Sequence, residues 1–347
     1  MECNLPDISL RKDPLLDDST AERDGWLIID TTIATILDME YKDSKGTWEK
    51  ICPEVSKILF YSFSILDMSV WQEGLWRKFP NIQSFAVCPE AESEYFTVDG
   101  VLFKDVANGV ELVSFPPTRI GKYAIPVGVT GIDWQAFSHA QISDIVFPNG
   151  LRYIADGAFF QCHKIERIHI PDSVSRIGED GWANAFVECR ELSHIAVDPN
   201  NDAFYSENGV LYRRDGLLLC YPSSLEGPFT VSGNCFGFAH NSFYGSKISE
   251  IIFTEKEAFY YIGTCALAHC DNLRAINLPQ GVGALGFFAF HNCKNLTDVF
   301  VNNPDFNFRV TEGYGPFDGC PKIRIHGYSG STSEQFAQYK NLPWEAI

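Results

Sequence analysis

Apolar residues return along this chain at a fixed spacing. From Leu151 to Pro171 the sequence reads LRYIADGAFFQCHKIERIHIP. The same order of apolar and polar positions recurs in Val174 to Val197 (VSRIGEDGWANAFVECRELSHIAV), Tyr260 to Pro279 (YYIGTCALAHCDNLRAINLP) and Val282 to Val301 (VGALGFFAFHNCKNLTDVFV). The shared pattern is I-G-x-x-A-F-x-x-C-x-x-L-x-x-I-x-[IVL], and its cysteine slots are 27, 23 and 27 residues apart at Cys162/Cys189, Cys270/Cys293 and Cys293/Cys320. The unit is therefore 23 residues with small insertions, of which GEDGWANAF is one. Weaker copies lie upstream. Ile132 to Phe147 lacks one residue and the cysteine, and Leu75 to Val87 places Trp76 in the phenylalanine slot, Phe79 in the cysteine slot and Ile82, Phe85 and Val87 in the strand slots.

Each unit holds one short run of alternating apolar residues, such as Ile168 and Ile170 or Ile276 and Leu278, which predicts a strand. A return segment carrying Gly, Ala, Phe and Cys follows. One unit has no second layer to bury these side chains against, whereas stacked units bury them against each other. The pattern thus predicts a solenoid with a parallel sheet on one side. Gly178 and Gly263 mark a tight corner, Ala158, Ala185 and Ala289 are small where coils approach, and Phe159, Phe186 and Phe290 fill the interior. Cys162, Cys189, Cys270, Cys293 and Cys320 share one local setting, with an apolar residue three before and three after, so they read as small buried hydrophobes. The total of eleven cysteines cannot all pair within one chain. Cys265, His269, Cys270, His291 and Cys293 are the residues a zinc site would draw on. No close C-x-x-C pair occurs, and two of these are repeat positions, so a structural role is expected.

A second repeat interrupts the first. Pro89 to Pro126 and Asp198 to Val231 both place D-G or N-G ahead of V-L-[FY], then a turn, then a second apolar run and a proline. Two strands joined at Asn108-Gly109 or Arg214-Asp215-Gly216 read as a hairpin that projects from the solenoid or splices adjacent coils. A third copy is expected near the start, at Asp24 to Ile29, Ile36-Leu37 and Ile51 to Pro53. The organisation expected is a cap with a hairpin over 1–52, a solenoid over 53–326 with insertions at about 89–126 and 198–231, and a C-terminal cap over 327–347. In that last cap Ser331-x-x-Glu334 reads as a capping box opening a helix of about ten residues through Lys340. Phe336, Ala337 and Tyr339 are placed to cover the final coil, and Pro343 enforces an extended exit.

These residues resemble the BspA-like leucine-rich repeats. The family pattern I-P-x-S-V-x-x-I-G appears at Ile170 to Gly178, its D-G-V-L-[FY] hairpins at Asp99 to Phe103 and Asn208 to Tyr212, and its G-Y-x-G-S ending at Gly327 to Ser331, with Pro343-Trp344 after it. The resemblance covers roughly residues 53–347. It implies a right-handed leucine-rich-repeat solenoid of short parallel strands with irregular or short helical return segments. It also implies a protein-binding role at the cell surface or outside the cell, with extracellular host proteins among the partners. It supplies no catalytic residues.

Composition narrows the partner. Lys and Arg number 27 against 45 Asp and Glu, a net charge of −18, which repels phosphate backbones and argues against nucleic acid. No apolar run is long enough to span a bilayer, so membrane insertion is not expected. No basic-then-apolar leader opens the sequence, which leaves a removed leader or an intracellular location as the alternatives. Gly281 to Gly286 fits G-x-G-x-x-G formally but lies on the repeat corner without a βαβ unit. Asn295-Leu296-Thr297 is a lone glycosylation sequon on a repeat strand. No spacing of histidines and carboxylates demands acid–base work, so neither catalysis nor a cofactor is expected.

The strand face turned away from the core is then the candidate site. Alternation points Ala86, Val146, His169, Ala196, Ile252, Asn277 and Phe300 outward, with Asp144, Arg167, His194, Glu250, Ala275 and Asp298 in a neighbouring column. Val146, Ile252 and Phe300 are apolar positions expected in water, and Asp144, Glu250 and Asp298 would favour a basic partner. Three functions fit in descending order: an extracellular protein-binding solenoid, an intracellular scaffold or regulatory subunit, and an enzyme using a cleft beside a hairpin. An elongated acidic monomer is expected.

Overall fold

The computed structural model describes residues 20–23, 26–29, 56–60, 81–87, 94–178, 184–254, 259–309 and 314–347. Two compact units divide the chain: Met1–Ala107 with Leu112–Thr118, and Asn108–Glu111 with Arg119–Ile347. In the first, strand Thr20–Arg23 pairs antiparallel with Trp26–Ile29, which runs parallel to Lys57–Phe60, itself parallel to Ser84–Val87. Register sets Leu27 beside Ile58 and Ile58 beside Phe85, and Ile58 and Phe85 are buried. Tyr95–Val98 and Val101–Val106 then form a hairpin through Asp99-Gly100, both left-handed with φ of 49° and 70° as a two-residue turn requires. Ala86, expected on the outer face, is buried at 5% exposure. Its strand lies against the hairpin, where the Phe85 N–H donates to Gly100, and a lone methyl is too short to stand clear of such a neighbour. Trp76, Phe79, Ile36-Leu37 and Ile51 to Pro53 lie outside the described residues.

The second unit is the solenoid. Its coils each contribute a front strand, and these pair in parallel: Ile120–Ala124 with Gln141–Val146, Arg167–Ile170 with His194–Val197, Glu226–Val231 with Lys247–Phe253, and Ala275–Leu278, Asp298–Val301, Arg324–Gly327 and Trp344–Ala346 in sequence. A second, shorter strand per coil was not expected. It forms at the isoleucine slot beside the corner, as in Tyr153–Ile154 between Val129–Ile132 and Arg176–Ile177, and in Tyr261–Ile262 beside Gly237–Phe238. Two pairs on this side set a glycine opposite a tyrosine, Gly131 with Tyr153 and Gly237 with Tyr261, where a Cβ on either glycine would meet the tyrosine at 2.1 and 2.7 Å. The aromatic ring covers the bare backbone of its neighbour.

The return segments form a ladder of their own. Gly157, Phe159 and Gln161 donate their N–H groups to Asn184, Ala185 and Val187 of the next coil, while the intervening Ala158, Phe160 and Cys162 close turns within the coil. Asn241, Phe243 and Gly245 repeat this against Thr264, Ala266 and Ala268. Aiming alternate amides outward takes left-handed residues, and the position before the cysteine slot is left-handed in His139, Gln161, Glu188, Gly245, His269, Asn292 and Gly319. The corner glycines serve two ends. Gly178 is left-handed at φ 58°, whereas Gly263 is present for closeness: a Cβ there would lie 2.8 Å from Ala239 and His240 backbone.

The five slot cysteines are buried and free, as the repeat predicts, and so are the slot phenylalanines and alanines. Each thiol also donates to a carbonyl of the preceding coil. Cys162 reaches Phe137 at 2.9 Å, Cys189 reaches Phe159 at 3.1 Å, Cys270 reaches Phe243 at 3.2 Å, Cys293 reaches Leu267 at 3.0 Å and Cys320 reaches Phe290 at 3.0 Å.

The 198–231 insertion splices coils. Phe204–Glu207 and Val210–Arg213 pair around left-handed Asn208-Gly209, with Tyr205 and Tyr212 stacked at 5.0 Å. Arg214 to Gly216 make the expected second turn into Leu217–Cys220, whose Leu217 and Leu218 run parallel to Gly237 and Phe238 as a coil strand. Asn201 anchors the insertion from full burial: its amide donates to Pro171 and Val174 carbonyls, and its oxygen accepts from Ala203 and Phe204. At the end of the chain, helix Thr332–Lys340 covers the last coil through buried Phe336 and Ala337, with Phe336 stacked on Phe308 at 4.0 Å. The capping box does not form. The Ser331 hydroxyl turns to Ser333 in the interior, and Glu334 accepts the N–H of Gly330 instead. Tyr339 is 71% exposed and covers nothing, because it falls on the outer side of the helix. No helix among the described residues is long and apolar enough to cross a membrane.

Candidate binding face

The outward residues of the front strands lie in register across each ladder. Val146 stands beside Ala124, His169 beside Ala196, Ile252 beside Thr230, and Phe300 between Asn277 and His326. Val146 and Ile252 are 42% and 39% exposed, as alternation predicts for branched residues on a wet face. Phe300 is half-buried because its ring stacks on the His326 imidazole, with centroids 4.2 Å apart. In the neighbouring column Arg167 stands directly beside His194, and Glu250 beside Pro228. The two columns do not run unbroken: the front ladder is divided into separate sets of two, two, two and four strands.

The carboxylates are less available than their spacing suggests. Asp144 is ion-paired with Lys122 at 2.8 Å. Asp298 accepts a hydrogen bond from His326 Nε2 at 2.8 Å, and that bond, with one from Thr297, holds its carboxyl below the ordinary carboxylate range. Glu345 lies 3.9 Å from His326 Nδ1 and 3.4 Å from Arg324. Asn277 accepts from the Asn302 amide at 2.5 Å. Of the three acidic site residues, only Glu250 is left with its charge uncommitted.

Reasoning from the pattern missed His326, Arg324 and Glu345. The last coil is one residue shorter between Cys320 and its strand than the coil of Cys293, so the usual count of six residues from the cysteine to the first strand slot lands on His326 in place of Ile325. Glu345 follows the helix, beyond any repeat.

The residues a zinc site would use occupy two environments. Cys270 and Cys293 are interior, with their thiols turned to carbonyls. His269 and His291 lie on return turns with rings edge-on at 5.7 Å, and burial, then His291, lowers the His269 pKa. Among the described residues no three His, Cys, Asp or Glu side chains converge as a metal site. A cavity of about 240 Å³ opens beside the insertion, between the Ile177-Gly178 corner, His240 and Tyr261. His240 has both nitrogens engaged: Nδ1 accepts the Thr264 N–H at 3.1 Å, which leaves Nε2–H to donate to the Tyr261 hydroxyl at 3.0 Å. That arrangement orients the imidazole without freeing a nitrogen for proton transfer.

Comparison with known proteins agrees with this geometry. A family model described as BspA type leucine rich repeat region matches in six copies over residues 111–208 and 229–325. A leucine-rich cell surface protein from Faecalibacterium prausnitzii superposes with a TM-score of 0.56 at 16% identity, covering 92% of this chain and 88% of that one. The pneumococcal vaccine antigen PcpA superposes with a TM-score of 0.53 at 18% identity over 78% of this chain, which spans 62% of the antigen's length. At such identities the likeness is one of fold. No curated protein matches the chain. With the family model covering more than half of the sequence and the coil geometry reproducing its period, this chain belongs to the BspA-type leucine-rich repeat family.

Proposed function

We propose that the protein is a non-catalytic, protein-binding solenoid acting at a cell surface or outside the cell, and that its partner docks on the front sheet. The observation that carries this reading is the pair of exposed branched residues, Val146 and Ile252, in outward columns that the core does not need. Exposed apolar groups among polar neighbours favour a protein contact. The family and the two similar structures, one named as a cell surface protein and one as a vaccine antigen, support the surface location. Screening the immobilised full chain against extracellular proteins should yield a partner whose affinity falls at least tenfold with Val146→Asp or Phe300→Ala. A partner insensitive to both variants removes the front sheet from the reading.

A second reading, an intracellular scaffold, is favoured by the free thiols at Cys162, Cys189, Cys220, Cys235, Cys265, Cys270, Cys293 and Cys320. Site-resolved labelling of protein taken from its own cells separates the two. Paired cysteines support export, and uniformly free ones support the scaffold.

A further inference from the structure

Resting on the front-sheet reading, we infer that the partner presents an acidic segment of polypeptide, gripped at Arg167, His169 and His194. These three side chains share one face of the paired strands Arg167–Ile170 and His194–Val197. Arg167 is directly beside His194, and His169 is two residues along the same strand. Parallel neighbours stand about 4.8 Å apart, so the three heads fall within the reach of one or two carboxylates. Arg167 and His169 are exposed and His194 is half-buried. Among the described residues none forms an ion pair or hydrogen bond with these side chains. On the preceding coil Asp144, in the same outward column as Arg167, is ion-paired with Lys122. Gly209, on the insertion's turn, comes so close to His194 that a Cβ there would lie 2.7 Å from Nδ1, so the turn walls one flank.

A cluster of uncommitted donors stands out in a chain of net charge −18. The general field of the molecule repels anions at long range, so an acidic ligand is held here only by local contact: the planar guanidinium takes a carboxylate through two parallel bonds, and each imidazole offers an N–H. The same field disfavours polyanions of high charge density, which favours a peptide with a few carboxylates over a sulfated glycan. The expectation drawn from Asp144, Glu250 and Asp298, a basic partner, is thereby reversed.

Fluorescence polarisation of the full chain with labelled hexaglutamate, hexalysine and a heparin-derived hexasaccharide tests this. The expected result is hexaglutamate binding that falls at least tenfold with Arg167→Glu and severalfold with His169→Ala or His194→Ala. Lys322→Glu makes the same charge change on an exposed lysine away from this face and should leave binding within twofold. Circular dichroism and melting of each variant guard against misfolding, and Arg167→Gln replaces Arg167→Glu if the latter melts early. Equal loss with Lys322→Glu, preference for hexalysine, absence of hexaglutamate binding, or binding of the hexasaccharide alone would each overturn the proposal. A screened partner sensitive to Val146→Asp but indifferent to Arg167→Glu overturns the acidic-segment assignment and leaves the front sheet standing. A partner indifferent to both sets overturns the front sheet as well.

Discussion

A cysteine in the repeat slot does two jobs at once: it fills a small apolar volume and it offers its S–H to a carbonyl one coil back. The first was legible in the sequence, because flanking apolar residues at three before and three after repeat five times. The second was not, because a hydrophobic pattern has no term for a weak donor. The hint lay in Ser246, which occupies the same slot and sits 3.4 Å from Cys270 Sγ. Burial pushes the Cys189 thiol up to about 12, so it stays protonated and unreactive in the native protein at pH 8. Iodoacetamide with site-resolved mass spectrometry should label half-buried Cys265 well before Cys162 or Cys189, which should react only in denaturant. The slot phenylalanines behave as read. Phe186 is 2% exposed and stacks on Phe159 at 5.4 Å, so Phe186→Ala should cost about 3–5 kcal/mol in denaturant unfolding.

At the scale of the element, the front strands were predicted from alternation, and the side strands were not. A strand of two residues carries too few positions for a period to show, and its signal is a single isoleucine, followed by a glycine at Gly178 and Gly263. That glycine is the more demanding residue. At Gly286 an added Cβ would lie 2.3 Å from the backbone of Gly263 and Thr264. Backbone cannot swing aside as a side chain can, so Gly286→Ala should force the coils apart and cost roughly 1–3 kcal/mol, seen as a lowered melting temperature. The insertion was half legible: Arg214-Asp215-Gly216 marked its second turn, whereas the pairing of Phe204–Glu207 with Val210–Arg213 around Asn208-Gly209 was not read. Asn201 shows why. Two of its four hydrogen bonds join the insertion to the Pro171 and Val174 turn, 30 and 27 positions away, a distance over which local pattern carries no information.

For the whole molecule, charge was readable as a sum and misleading as a distribution. Net charge says nothing about which carboxylates are already answered, and Asp144 and Asp298 are answered by Lys122 and His326. Because Asp298 titrates below its unfolded value, its stabilising contribution is complete above about pH 4 and is lost as pH falls through the depressed native pKa. Carbon-detected NMR of the Asp298 carboxyl should give a midpoint below about 3.9 that rises toward it in His326→Gln.

The alternating amides of the return ladder have one more consequence, for how such chains can grow. Among the described residues, coils joined without an insertion present the next with the same comb of donors and take the same comb of acceptors, so such a joint is indifferent to which coil follows. Excising the 23 residues from Gly263 to Leu285 brings Gly286 into the place Gly263 vacates and restores each bond with a new partner. Removing two or three residues from the same stretch leaves the teeth unmeshed. A full-coil excision that folds cooperatively, beside a three-residue one that does not, would mark length as a quantity this architecture changes only in whole steps.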